Sequence, residues 1–223
     1  MTYSIEQLCD IIKNKKRLPP DFDQWYLKIN DEEGNTIAHF AAEHNCLPPD
    51  FDRWYIRNKY GWTVLHIAAE HSQLPSNFNQ LELVEYKQEW TIAHIAAKND
   101  RLPPNFNQWN LANKYGYTIC HAAAKYGKLP SNFNQWGLAN IDGWTVAHAA
   151  AFYNHLPPNF DKWELTDNDG DTVAHEAAYK YILPSNFDKW ELTDEDGKTV
   201  AQVAYEYDHL PPNFDRWDLI EKR

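Results

Sequence analysis

Apolar and polar residues follow one another along this chain in a block that returns seven times. Gly143-Trp144-Thr145-Val146-Ala147-His148-Ala149-Ala150-Ala151 is one copy; the others run Gly34 to Ala42, Gly61 to Ala69, Glu89 to Ala97, Gly116 to Ala124, Gly170 to Ala178 and Gly197 to Tyr205. The threonines of the blocks are Thr36, Thr63, Thr91, Thr118, Thr145, Thr172 and Thr199, spaced 27, 28, 27, 27, 27 and 27 residues apart. A fixed period of that size predicts a stack of small units, none of which can bury its apolar face alone. Within a block, Thr145 to about Asn154 predicts a helix, with threonine as its cap and alanines as slim helix formers. Slim side chains let neighbouring helices approach closely. Ahead of the first block, Ser4 to Lys16 predicts a separate capping helix with Ile5, Leu8, Ile11 and Ile12 on one face. Arg17-Leu18-Pro19-Pro20 stops it, because a residue before proline disfavours the helical region.

A second pattern fills the space between blocks. Leu18-Pro19-Pro20-Asp21-Phe22-Asp23-Gln24-Trp25-Tyr26-Leu27 has sisters beginning at Leu47, Leu74, Leu102, Leu129, Leu156, Leu183 and Leu210. Its aromatic position is Trp25, Trp54, Trp109, Trp136, Trp163, Trp190 or Trp217, with Leu81 as the exception. Proline is tolerated in a first helical turn, and Asp, Asn or Ser satisfies free amides at a helix start or tight turn. Phe and Trp three residues apart share a face of one helical turn. The expectation is one or two helical turns followed by an extended exit, with the Phe-Trp pair supplying buried area. Links such as Thr166-Asp167-Asn168-Asp169-Gly170-Asp171 predict tight turns from their Asp, Asn and Gly content.

The block Gly-x-Thr-(Val or Ile)-(Ala or Leu)-His-x-Ala-Ala resembles the core of the ankyrin repeat, most closely in Gly61-Trp62-Thr63-Val64-Leu65-His66-Ile67-Ala68-Ala69. The resemblance covers about Asn30 to the C-terminus. It departs from the family in its shorter period, ankyrin units running to about 33 residues, and in the Val or Ile that follows the threonine. The shortfall lies in the second helix, where Leu-Pro-x-x-Phe-x-x-Trp stands. The resemblance implies an all-α, ankyrin-like helical solenoid with β-turn fingers and a shortened second helix in each repeat. On the same resemblance, residues 1–29 are expected to form an N-terminal capping helix and partial repeat, and 30–223 seven ankyrin-like repeats, the last a C-terminal cap.

Aromatic residues make up 15% of the chain, too rich a supply of rigid apolar surface for a disordered polymer. The net charge of −11 is unevenly placed: Pro157 to Arg223 holds 7 basic and 16 acidic residues, whereas Arg101 to Leu156 holds Arg101, Lys114, Lys125 and Lys128 against Asp142 alone. That balance argues against sequence-independent nucleic-acid binding. The cysteines, Cys9, Cys46 and Cys120, occupy different places in the period, which suits neither a disulfide framework nor a paired-cysteine zinc site. Cys120 takes a small-residue position held by Ala38 and Ala147. Met1 to Asp10 lacks the basic and apolar runs of a signal peptide, and no apolar run reaches membrane length. The expectation is a cytoplasmic, reducing compartment without a membrane partner.

The tempting chemistry is the row His39, His66, His94, His121, His148 and His175. Each stands three residues after a threonine cap, where Glu or Gln completes a capping box, and the seventh block has Gln202 there. Stacked helices lie about 8–10 Å apart, so such a row is badly placed to share one metal ion. The reading is structural. Asp167-Asn168-Asp169-Gly170-Asp171 is similar to a calcium loop but fails in register, since the sixth position is Thr172 and the twelfth Ala178. No phosphate-cradling glycine loop or nucleophile elbow is present. The expectation is a non-enzymatic chain with no cofactor and no metal.

The repeats disagree just before the capping threonine: Asn35, Trp62, Trp90, Tyr117, Trp144, Asp171 and Lys198. A position that the scaffold lets vary is expected to face outward, and exposed Trp and Tyr are typical of interface hot spots. In the ankyrin-like reading it lies on the finger beside the concave face. The expected partner-binding residues are Trp62, Trp90, Tyr117 and Trp144, with Tyr60, Tyr115 and Lys114 beside them and Tyr126 and Tyr153 in the loop after the first helix. The resulting expectation is a protein–protein interaction scaffold of the kind found in effectors and adaptors. The alternatives are a homo-oligomer built through the C-terminal repeat, or a carbohydrate or small-ligand binder using the aromatic row.

Overall fold

The structure, a computed structural model, describes residues 3–14, 18–19, 21–71, 74, 90–102 and 106–220. Leu81, Glu89 and the far end expected for the first helix at Lys16 lie outside them. The described residues form eight α-helices and no strand: α1 (Ile5–Lys13), α2 (Ile37–Glu43), α3 (Val64–Glu70), α4 (Ile92–Lys98), α5 (Ile119–Lys125), α6 (Val146–Phe152), α7 (Val173–Tyr179) and α8 (Val200–Glu206). The chain divides into two compact units, Met1–Asn107 and Gln108–Arg223. In the first, α1 packs on α2, α2 on α3 and α3 on α4; in the second, α5 packs on α6, α6 on α7 and α7 on α8. Each unit is thus a stack of helical repeats in chain order.

Helices of seven residues are too short to be stable by propensity. They persist here because amides at their starts find acceptors in the cap and in the preceding link, as α6 shows. In α6, the Thr145 amide donates to His148 Nδ1 and the His148 amide to Thr145 Oγ1. The Val146 amide donates to the carbonyl of Leu138 and the Ala147 amide to that of Trp136. At the other end, Asn154 sits at φ +60°, its amide bonded to the Ala151 carbonyl and that of His155 to the Ala150 carbonyl. This is a Schellman closure, which satisfies the last carbonyls of the helix. Ala147, Ala150 and Ala151 have no exposed surface, so the slim face does meet neighbouring helices.

The expected short second helix is not what forms. Where its copies are fully described, Leu-Pro-x-x-Phe-x-x-Trp folds as two consecutive turns: in the sixth copy the Phe160 amide bonds to the Pro157 carbonyl and the Leu165 amide to the Lys162 carbonyl. Among the described residues, only Trp217–Leu219, in the last copy, is a short 3-10 helix. The carbonyls that a continuing helix would use internally are taken by the next helix: Trp163 accepts from Ala174 and Leu165 from Val173. The Phe and Trp rings then stack edge to face as a ladder. In the second unit it runs Phe133, Trp136, Phe160, Trp163, Phe187, Trp190, Phe214 and Trp217, with centroids 4.9–5.4 Å apart. Each such contact contributes about 0.5–1.5 kcal/mol beyond burial. Phe22, Trp25, Phe51 and Trp54 repeat the arrangement in the first unit.

The links between ladder and helix close by isolated antiparallel bridges, such as Ala139 with Thr145 and Thr166 with Thr172. Asn140 Oδ1 and Asp167 Oδ1 each accept two amides of their own link, which is the work of the acidic run that looks like a calcium loop. Neighbouring links also touch. Gly143 has φ +75°, and a Cβ on it would stand 2.4 Å from the Asn168 amide nitrogen, whereas Gly197, at φ +77°, faces open space. Gly197→Ala should cost about 1–2 kcal/mol from backbone strain alone. Gly143→Ala should cost about 3 kcal/mol, because the Asn168 backbone must also shift. Urea melts of the two variants measure the difference; equal losses would mean that the links are not held against each other.

Candidate functional site

The histidine row is part of the scaffold. Each of His39, His66, His94, His121, His148 and His175 accepts the amide of its capping threonine on Nδ1, at 3.1–3.3 Å. A backbone amide can only donate, so the ring proton must lie on Nε2. That nitrogen reaches the next repeat: His39 Nε2 donates to the Trp62 carbonyl at 3.1 Å, His121 to Trp144 at 2.9 Å, His148 to Asp171 at 3.0 Å and His175 to Lys198 at 3.0 Å. One ring therefore caps its own helix and stitches it to the following link. His66, before the 28-residue interval, is buried with Nε2 unpartnered. Burial holds the imidazoles of His39, His121 and His148 below their usual range, and that of His66 down to about 4. Gln202 performs the cap in the seventh box, taking the Thr199 amide on Oε1 at 2.8 Å. Cys120 is equally structural: buried, with Sγ donating to the Trp109 carbonyl at 3.2 Å and its thiol pushed up to about 12 by burial.

The aromatic residues before the threonines are half-claimed by the same scaffold. Trp62, Trp90 and Trp144 are half-buried and Tyr117 is exposed. Each lies against the histidine of its own box, at centroid distances of 5.7, 5.7, 5.2 and 5.3 Å respectively. Trp62, Trp90 and Tyr60 belong to the first unit and Tyr117, Trp144, Tyr115, Lys114, Tyr126 and Tyr153 to the second. Lys59 covers the half-buried Tyr60 ring, and Lys114 covers the exposed Tyr115 ring, both at 4.9 Å.

What the second unit brings together is a band one helix length away, at the C-terminal turns of α5 to α8. Lys125 Nζ lies over the rings of Tyr126 and Tyr153, at 5.6 and 5.0 Å. Tyr153 meets Phe152 at 4.9 Å, and Phe152 meets Trp144 at 6.2 Å. Lys180 Nζ lies 3.5 Å from the centroid of Phe152 and 4.7 Å from that of Tyr179. Tyr179 packs on Tyr207 at 4.7 Å, and Tyr207 and Tyr181 both pack on His209. Phe152, Tyr153, Tyr179, Tyr181 and Tyr207 are all exposed, Tyr181 by 67%. Tyr181 also holds φ +57°, at the helix-closing position where the other repeats place Asn45, Asp100, Gly127, Asn154 and Asp208. A bulky side chain is unfavourable there, so the chain bears strain at the point where it displays a ring.

Sequence reasoning reached this band only at its edge, through Tyr126 and Tyr153. Phe152, Tyr179, Tyr181 and Tyr207 went unnoticed. The signal that finds all of them but Tyr181 is the comparison of repeats at the two places after the alanines: Glu43-His44, Glu70-His71 and Lys98-Asn99 are polar, whereas Lys125-Tyr126, Phe152-Tyr153, Tyr179-Lys180 and Glu206-Tyr207 carry rings.

Among the described residues, no three or more His, Cys, Asp or Glu side chains converge as a metal site would require, and no helix is long and apolar enough to cross a membrane. A scan against protein-family models matches none, and no curated protein matches the chain.

Proposed function

We propose that the chain is a non-enzymatic protein-binding module whose partner docks on the aromatic band of the second unit. The observation that carries this reading is the set Phe152, Tyr153, Tyr179, Tyr181 and Tyr207, exposed together on consecutive repeats and bridged by Lys125 and Lys180. Rigid rings lose little freedom on binding and bury much area, which is why Tyr and Trp dominate interface hot spots. Lysines already lying on those rings restrict them further before any partner arrives. Trp144 and Tyr117 flank the band at the start of the same helices; Trp62, Trp90 and Tyr60 would act from the first unit's own links. In the ankyrin-like reading, the bridged links are shortened fingers and the band lies along the inner helices, as suits an effector or adaptor that acts by holding a partner.

The test is quantitative affinity capture from cells that make the protein, comparing the unaltered chain with Phe152→Ser/Tyr153→Ser/Tyr179→Ser. These side chains are exposed, so helix content and thermal melting should hold, while captured partners should fall about tenfold or more. Equal capture by a folded triple variant overturns the reading. Capture of glycans in place of proteins would move it to a carbohydrate-binding surface.

A further inference from the structure

Glu176 breaks a rule that the other repeats keep. It is the fourth residue of α7, where the other helices carry Phe40, Ile67, Ile95, Ala122, Ala149 and Val203. The carboxylate is half-buried, and its Oε1 is wholly buried with no hydrogen-bond partner. Its cationic neighbour, Lys180, one turn along α7, directs Nζ onto the Phe152 and Tyr179 rings. Asp171 and Asp167, in the link before α7, add negative potential. A buried carboxylate oxygen without a donor is costly to leave so, and an apolar residue of the sister repeats would avoid that cost. Burial accordingly pushes the carboxyl up to about 7, away from its charged form.

Resting on the protein-binding reading above, we propose that this face recognises a partner segment through one basic side chain, Lys or Arg, which bonds to Glu176 while neighbouring apolar residues of the segment lie on Phe152 and Tyr179. Charge complementarity selects that occupant: an incoming cation supplies a counter-charge to a carboxylate whose own neighbour, Lys180, is turned onto the rings. An acidic or neutral segment would leave Glu176 unsatisfied and bury it further, which turns one residue into a discriminator against wrong partners.

The experiment is selection of a random peptide library displayed on phage against the full chain, against Glu176→Gln and against Phe152→Ser/Tyr179→Ser. The unaltered chain should enrich peptides with Lys or Arg at one fixed place beside aromatic or aliphatic residues. Synthetic versions with that residue changed to Gln should bind about tenfold more weakly. Glu176→Gln should still bind apolar peptides but lose the basic preference, and the double serine variant should bind neither kind. Enrichment without a basic residue, or a basic preference that survives Glu176→Gln, overturns this inference and leaves the docking face standing. Failure of the unaltered chain to enrich any peptide overturns both.

Discussion

Replacing His148 by alanine is expected to cost about 4 kcal/mol, and replacing it by glutamine only about 1 kcal/mol. Alanine removes the Nδ1 that accepts the Thr145 amide, the Nε2 that donates to the Asp171 carbonyl and the volume of a fully buried ring. The amide is left without an acceptor inside the fold. Glutamine, as Gln202 shows, can take the amide on Oε1 and so keep the cap. What it loses is the stitch to the next repeat, and the Asp171 carbonyl still receives the Asp167 amide, so it is not orphaned. Urea denaturation followed by helical circular dichroism separates the two variants. Equal losses would mean that ring packing alone, not its two hydrogen bonds, holds the box.

Acid is expected to loosen both units well above the pH at which carboxylates titrate. Unfolded histidines take up protons near their usual value of about 6.5, whereas the folded rings resist because burial disfavours the charge and Nδ1 is occupied as an acceptor. Stability is therefore full above that pH and is lost as pH falls toward the folded values. For His66, whose folded value is about 4, the loss amounts to roughly 3 kcal/mol. His39 in the first unit and His121 and His148 in the second add losses of the same sign. Glu176 opposes them weakly: its carboxyl is raised to about 7, so it gains stability as pH falls from there, discounted because part of the group meets solvent. Urea midpoints at about pH 7.5, 6 and 4.5 should fall in that order, and more steeply in Glu176→Gln. A flat profile would show that the folded rings take up protons as readily as the unfolded ones.

Much of the local structure is legible in the residues. Thr145 followed three places later by His148 specifies a capping box, because both hydrogen bonds close within one turn of helix. The period tells which copies must stack, and the alanines tell which face does so. Harder to read was Leu-Pro-x-x-Phe-x-x-Trp, whose spacing suits a helical turn as well as two β-turns. Burial of the Phe and Trp rings favours either form. The choice fell to the carbonyls of Trp136 and Leu138, which the amides of α6 require.

The candidate site divides in the same way. Comparing repeats correctly singles out positions free to vary, but exposure depends on what a ring finds beside it. Trp144 finds its own buried histidine, whereas Phe152 and Tyr179 find Lys180 and rings that are themselves exposed, Tyr153 and Tyr207. By itself, then, the sequence determined the all-helical repeat, its caps and the pairing of Phe with Trp inside each copy, all set by hydrogen bonds and contacts a few residues apart. Tertiary structure alone decided that His39, His121, His148 and His175 stitch to a carbonyl 23 residues onward, that the band at the helix ends stays open, and that Glu176 keeps a buried oxygen without a donor. Those outcomes depend on how one repeat registers on the next, a distance over which no local spacing rule acts.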